Sequence, residues 1–161
     1  DFNDHSLWRA GVSLRFRTEN NAGRITLKTK SERGPAGIKI RNEWEVPCAS
    51  VFEGLAALRT GTDVDMLLEH AVSEKLFITA EVNFSRILVL ARVSEALIEF
   101  ALDDGFFNGD INRRFTELEA ELKSGGLDEL GAVSAYLISK YGLRVENSSK
   151  LARALAFRNG L

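Results

Sequence analysis

Charged side chains recur at every second position through much of this chain. In residues 10–17, Val12, Leu14 and Phe16 alternate with Ser13, Arg15 and Arg17. In residues 24–30, Ile25 and Leu27 oppose Thr26, Lys28 and Lys30. Residues 38–46 set Ile40, Asn42, Trp44 and Val46 against Arg41, Glu43 and Glu45. Residues 96–103 carry Glu99 and Asp103, and residues 115–123 place Glu117, Glu119 and Glu121 opposite Leu118, Ala120 and Leu122. Successive side chains point to opposite faces of an extended strand, so a period of two predicts strands with one charged and one apolar face.

Turn signals divide these strands. Asn20, Asn21 and Gly23 predict a hairpin between the first two, and Gly34, Pro35 and Gly37 mark the next turn. Residues 75–90 form a long β-rich run, followed by a polar bend at residues 92–95, and Asp104 with Gly105 are expected to open a further turn. Residues 50–70 read as two short helices broken at residues 61–63. Apolar residues at positions 127, 130, 133, 137 and 138 predict an amphipathic helix over residues 127–141. Residues 149–157 form a last short element whose type the pattern leaves open.

A chain of 161 residues fits one domain and needs no metal or disulfide to hold a core. The single cysteine, Cys48, excludes an internal disulfide, and no apolar run is long enough for a spanning helix. The default expectation from these features is a cytoplasmic protein that does not engage membranes. With 21 basic and 23 acidic residues the net charge is −2, so no global field draws in nucleic acid. Any anion site must be local. The chain opens at Asp1 rather than Met, which predicts that it begins inside a longer protein.

A solvated sheet face would also show alternating charge. Here, however, the basic residues gather on the early strands and the glutamates on a late one, whereas a face built for solubility mixes the signs. The opposite faces, with Trp44, Phe100, Leu102, Leu118 and Leu122, are apolar enough for helices to cover. The expected architecture is α+β: an antiparallel β barrel with helices packed on its outside and a charged lumen. Arg15, Arg17, Lys28 and Lys30 would surround phosphate oxygens. Asp103, Glu117 and Glu119 are hard oxygen donors suited to Mg²⁺ or Mn²⁺. Such a lumen suits a short, densely anionic substrate and its attack by water.

Other residues give weaker signals. His5 and His70 lack ligand-spaced partners, which argues against zinc. Cys48 has no evident base, Ser149 with Lys150 is too short a motif for a nucleophile, and there is no glycine-rich phosphate loop.

The segment DFNDHSLWRAGVSLRFR at residues 1–17 resembles the stretch after the first strand of CYTH domains, the triphosphate tunnel metalloenzymes. TLK at residues 26–28, Arg41-x-Glu43-x-Glu45, IEFALDDG at residues 98–105, ELEAELKSG at residues 117–125, and Ser149-Lys150 with Arg153 follow in that family's order. The resemblance spans nearly the whole chain and implies an eight-stranded triphosphate tunnel with a divalent metal. It implies that Arg15, Arg17, Lys28 and Lys150 contact phosphate and that Asp103, Glu117 and Glu119 hold Mg²⁺ or Mn²⁺. Glu117 and Glu119 would be catalytic, with Lys30, Arg41, Glu43, Glu45, Glu99, Glu121 and Arg153 in support. The late-strand motif is most similar to bacterial inorganic triphosphatases, so tripolyphosphate is the first expected substrate.

Four alternatives stand beside that function: a non-catalytic polyphosphate or nucleoside triphosphate binding module, a class IV adenylate cyclase relative, a thiamine triphosphatase, and an apolar-ligand barrel, which the charge pattern disfavours. Two departures from the family pattern carry expectations. The family's first strand, Glu-x-Glu-x-Lys, is absent upstream of Asp1, which predicts an N-terminally truncated domain with an exposed edge that gives a route to a homodimer. Asn83 stands where the family usually has an arginine, and Arg86, an odd number of residues on, is expected on the opposite sheet face.

Overall fold

The computed structural model describes residues 1, 6–34, 38–61 and 76–158. The chain divides into two compact units, Asp1–Ile78 and Thr79–Leu161. His5, His70, Pro35, Gly37 and the second of the two helices expected in residues 50–70 lie outside the described residues.

In the first unit a short helix, α1 (Ser6–Arg9), leads into β1 (Ser13–Glu19) and β2 (Ala22–Lys28). Asn20 and Asn21 join the strands with φ of 49° and 65°. A two-residue hairpin turn that matches the twist of its strands requires positive φ at both positions, and asparagine tolerates it. The expected strand over residues 38–46 is split. β4 (Lys39–Ile40) pairs with β3 (Glu32–Arg33), and β5 (Glu43–Pro47) pairs with β2. The break falls at Asn42, whose carbonyl accepts the Thr29 N–H and whose own N–H donates to Thr29 Oγ1 at 3.2 Å. Both groups of Asn42 are thus spent at the end of the β2–β5 ladder.

The sheet order is β1-β2-β5. Its register sets Leu14, Leu27 and Trp44 side by side, and one residue along it sets Arg15, Thr26 and Glu45 side by side. The apolar face holds the core. Ile25 and Leu27 are fully buried together with Leu55 and Leu58 of α2 (Val51–Gly61), with Leu7 and Val12 beside them. Gly54 permits this approach, since a Cβ there would stand 2.5 Å from Ile25 Cγ2. Ser50 Oγ accepts the Glu53 N–H, and the Glu53 carboxylate accepts the Ala49 N–H at 2.8 Å, so the first turn of α2 satisfies its own donors.

The second unit is a meander of three long antiparallel strands, β6 (Val82–Val93), β7 (Ala96–Phe107) and β8 (Asp110–Ser124), with β7 in the centre. The turn expected at Asp104 and Gly105 is not there. Gly105 lies within β7, where a Cβ would meet the Asn83 carbonyl oxygen, and Asp104 accepts hydrogen bonds from Arg114 and Thr116 of β8. The chain turns instead at Asn108 and Gly109, with φ of 51° and 71°. α3 (Leu127–Tyr141) matches the helix expected from its spacing and ends at Gly142 in the left-handed conformation. The undetermined last element is a helix, α4 (Lys150–Arg158), opened by Ser149 Oγ accepting the Ala152 N–H.

The expected division of faces holds in part in this unit: the apolar face is fully buried at Ala96 and Ile98, where α3 runs against β7 and β8, but a helix covers the charged face as well. Phe84, Arg86, Asp103, Phe107, Phe115, Glu117 and Glu119 share one face by register. α4 packs on that charged face, seating Ala154 and Phe157 against Phe107 and Phe115. Leu102 and Leu118 on the other face are 41% and 37% exposed. The aromatic residues interleaved with the charges give the helix an apolar seat that the charge alternation alone conceals. The antiparallel α+β class holds, while hydrogen bonding among the described residues forms three open sheets rather than a closed barrel. No described helix is long and apolar enough to cross a membrane.

Candidate functional site

On the first sheet the charged face is built around Glu45. Its Oε2 accepts the hydroxyl of fully buried Thr26 at 2.9 Å, and its Oε1 accepts Arg24 at 3.1 Å. Arg15 and Arg17 stand 3.9 and 3.8 Å from the same carboxylate. Burial alone would raise the Glu45 pKa, but the Thr26 hydrogen bond and the charges of Arg17 and Arg24 hold it below the usual carboxylate range. Lys28 donates to Glu43 at 2.7 Å, with Arg41 3.6 Å from Glu43. Burial and the nearby Arg15 outweigh Glu43 and lower the Lys28 pKa from 10.5 to about 8. Lys30 lies beyond the end of β2, is exposed, and forms no ion pair among the described residues. Five cations thus gather around Glu43 and Glu45 on this face, with Glu19 4.0 Å from Arg17, and Arg24 is a member that the sequence pattern does not single out.

The second unit carries a tighter cluster. Asp103, fully buried, accepts a fork from Arg86, with Nε 2.6 Å from Oδ1 and Nη2 2.7 Å from Oδ2. Arg86 Nη2 also donates to Glu119 Oε2 at 2.8 Å. Lys150 Nζ, at the start of α4, lies 3.0 Å from Asp103 Oδ2, 3.1 Å from Glu117 Oε1 and 2.6 Å from Glu119 Oε1. Arg153, one turn along, donates to Glu117 Oε2. Phe84 and Phe115 flank Lys150, and Arg153 lies over Phe107 and Phe115, so the cluster rests on aromatic rings. Burial pushes the pKa values of Asp103 and Glu119 up, but the hydrogen bonds from Arg86 and Lys150 to Asp103, and from Lys150 to Glu119, outweigh it and hold both low. Burial would lower the Lys150 pKa, and its bonds to Glu119 and Asp103 raise it instead.

Arg86 lies on the face opposite Asn83, as the odd spacing predicts, but that face is the one that carries the cluster. The turn at Ser94 and Glu95 pairs Val93 with Ala96, and counting outward along the hairpin pairs Arg86 with Asp103. Asn83 pairs with Phe106, and its amide donates to Glu81 at 3.2 Å, apart from the cluster. Correct placement of the two-residue turn is the signal that finds Arg86. Glu99 and Glu121 lie opposite each other and share Lys123 at 3.3 and 2.9 Å, rather than joining the cluster.

A CYTH domain profile matches residues 1–155, across both units. The chain belongs to the CYTH family. It is also similar to an inorganic triphosphatase of Haemophilus influenzae, with 29% identity over 131 residues. That match covers 81% of this chain and 36% of the relative, so the chain spans about a third of that protein. CYTH triphosphatases are in general metal-dependent. The residues of the second cluster fit a hard divalent cation in donor chemistry, because three carboxylates each turn an oxygen to within 3.1 Å of one point. Among the described residues no three such side chains stand arranged at metal-ligand distances, and the point they share is held by Lys150.

Proposed function

We propose that this CYTH chain binds a triphosphate and hydrolyses it with Mg²⁺ or Mn²⁺, inorganic tripolyphosphate being the favoured substrate. The observation that carries this reading is the convergence of Asp103, Glu117 and Glu119 on a single cation. Those three carboxylates would hold the metal. When bound, it would offset the charge that develops on the transferred phosphoryl group and acidify a water.

Arg15, Arg17 and Lys28 bind phosphate oxygens, and Lys150 binds them from α4. The buried Nε–H of Arg17 has no hydrogen-bond acceptor among the described residues, and a phosphate oxygen is an acceptor suited to it. Glu43 and Glu45 orient the cations, keeping their guanidinium and ammonium groups on one face while leaving positive charge in excess. Residues 1–161 are then one CYTH domain.

A second reading, a module that binds polyphosphate without cutting it, is favoured by the engagement of all three carboxylates with Arg86, Lys150 and Arg153. Phosphate release from tripolyphosphate with Mg²⁺ or Mn²⁺ separates the two. Hydrolysis that needs the metal and is lost in Glu117→Gln and Glu119→Gln supports the enzyme. Unchanged turnover in both variants removes the metal assignment. Thermal stabilisation by tripolyphosphate with no turnover leaves the binding module.

A further inference from the structure

The carboxylates of the second cluster divide their oxygens in a consistent way. Glu117 gives Oε2 to Arg153 and Oε1 to Lys150, and Glu119 gives Oε2 to Arg86 and Oε1 to Lys150. Asp103 gives Oδ1 to Arg86 and turns Oδ2 to Lys150, sharing it with Arg86. Arginines therefore hold the outer oxygens, and the ammonium of Lys150 takes all three inner ones with its three N–H donors. The carboxylates keep their orientation if only the lysine leaves.

From this geometry, and resting on the proposed metal site, we infer that Lys150 is a tethered occupant of the divalent-cation position. Metal entry and the departure of the Lys150 ammonium are then one event. An ammonium and a divalent ion cannot share a point ringed by three oxygens at 2.6 to 3.1 Å, since the metal needs those oxygens at about 2.0–2.1 Å and the like charges repel.

The side chain is suited to leaving. Lysine carries its charge on a flexible four-carbon stem, so Nζ can swing out without disturbing α4. Lys150 is also the first residue of α4, whose first turn has no acidic side chain. The positive end of a helix disfavours a cation there. The carboxylates, not the helix, keep the ammonium in place. Once displaced, it is a cation beside a bound metal and is best balanced by the polyphosphate. Metal and substrate thereby favour each other's binding, while metal alone must compete with Lys150.

The test measures Mn²⁺ binding to the whole chain without phosphate, by calorimetry and by the loss of the free-ion paramagnetic resonance signal. Lys150→Gln is expected to bind Mn²⁺ tighter than wild type, on the order of tenfold. Equal or weaker binding by a folded Lys150→Gln overturns the competition while the metal site stands. Absence of Mn²⁺ binding in both proteins removes the metal site itself and the competition with it. A second measurement uses wild type alone and covers a variant that fails to fold. Saturating Mg²⁺ should speed acetylation of Lys150 by an N-hydroxysuccinimide ester, read by mass spectrometry against exposed Lys140. An unchanged Lys150 rate with Mg²⁺ bound overturns the inference.

Discussion

On the first sheet Arg15, Arg17, Arg24, Lys28 and Arg41 meet three carboxylates, Glu19, Glu43 and Glu45, whereas on the second Arg86, Lys150 and Arg153 meet four, Asp103, Glu117, Glu119 and Glu146. The first arrangement leaves positive charge over, and it leaves the Arg17 Nε–H without an acceptor among the described residues. The second holds no cation in excess and buries a carboxylate at its centre, although the Arg153 Nε–H too has no acceptor among the described residues. A surplus of charge is a means of binding something from outside. A balanced network holds its own members in place, and part of it must be given up before anything else enters. The two faces should therefore respond differently to the same kind of substitution.

The largest effect is expected at Asp103. Removing it by Asp103→Ala leaves the largely buried Arg86 and Lys150 with Glu119 alone as a common partner, a change that should cost about 3 kcal/mol of stability in urea unfolding. A loss below about 1 kcal/mol, the scale of exposed ion pairs, would show that the network is solvated and loosely held. On the first sheet, Arg15→Ala should move ligand binding more than stability. Its loss is expected to weaken tripolyphosphate binding about tenfold, the scale of one charge-assisted hydrogen bond, by calorimetry at fixed salt. Equal binding in Arg15→Ala would detach this face from the substrate. Thr26→Val lies between the two. It keeps the shape of a fully buried residue but removes the hydroxyl that binds Glu45, which should lower unfolding free energy by about 1 kcal/mol.

The same contrast explains what is legible in the sequence. Alternation finds which residues share a face, so the spacing by itself groups Arg15, Arg17, Lys28, Glu43 and Glu45. It does not fix register, which depends on where each turn falls. Asp-Gly at residues 104–105 carries the same turn signal as Asn-Gly at residues 108–109, and only the close approach of β6 to Gly105 distinguishes them. A turn placed at the first of these cuts β7 short. On its other hairpin, a polar bend spread over residues 92–95 hides the two-residue turn that brings Arg86 to Asp103. Arg24 escapes notice for a related reason, since it reads as the start of a strand rather than as the neighbour of Glu45. α4 is a further case. Nothing in its nine residues says that it packs on the charged face, because the aromatic seat it uses comes from three different strand positions, Phe84, Phe107 and Phe115.

The smallest expected effect concerns Lys28 and is chiefly one of sign. Burial and the charge of Arg15 lower its pKa from 10.5 to about 8, so the folded protein releases this proton before the unfolded chain does. Below pH 8 both states carry the charge, and the folded state bears the full cost of holding it. Between pH 8 and 10.5 the unfolded chain binds more protons, so this group makes stability rise with pH. Tripolyphosphate affinity should run the other way, because the ammonium that burdens the fold is the one that binds phosphate. Lys28→Met is expected to remove both trends together. It should be as stable as wild type or slightly more so at pH 7, and it should bind tripolyphosphate with less change between pH 7 and 9. Unfolding and binding measured across that range in the two proteins would check the pair of slopes. If stability and affinity moved in the same direction, the surplus charge of the first sheet would not be held for an anion.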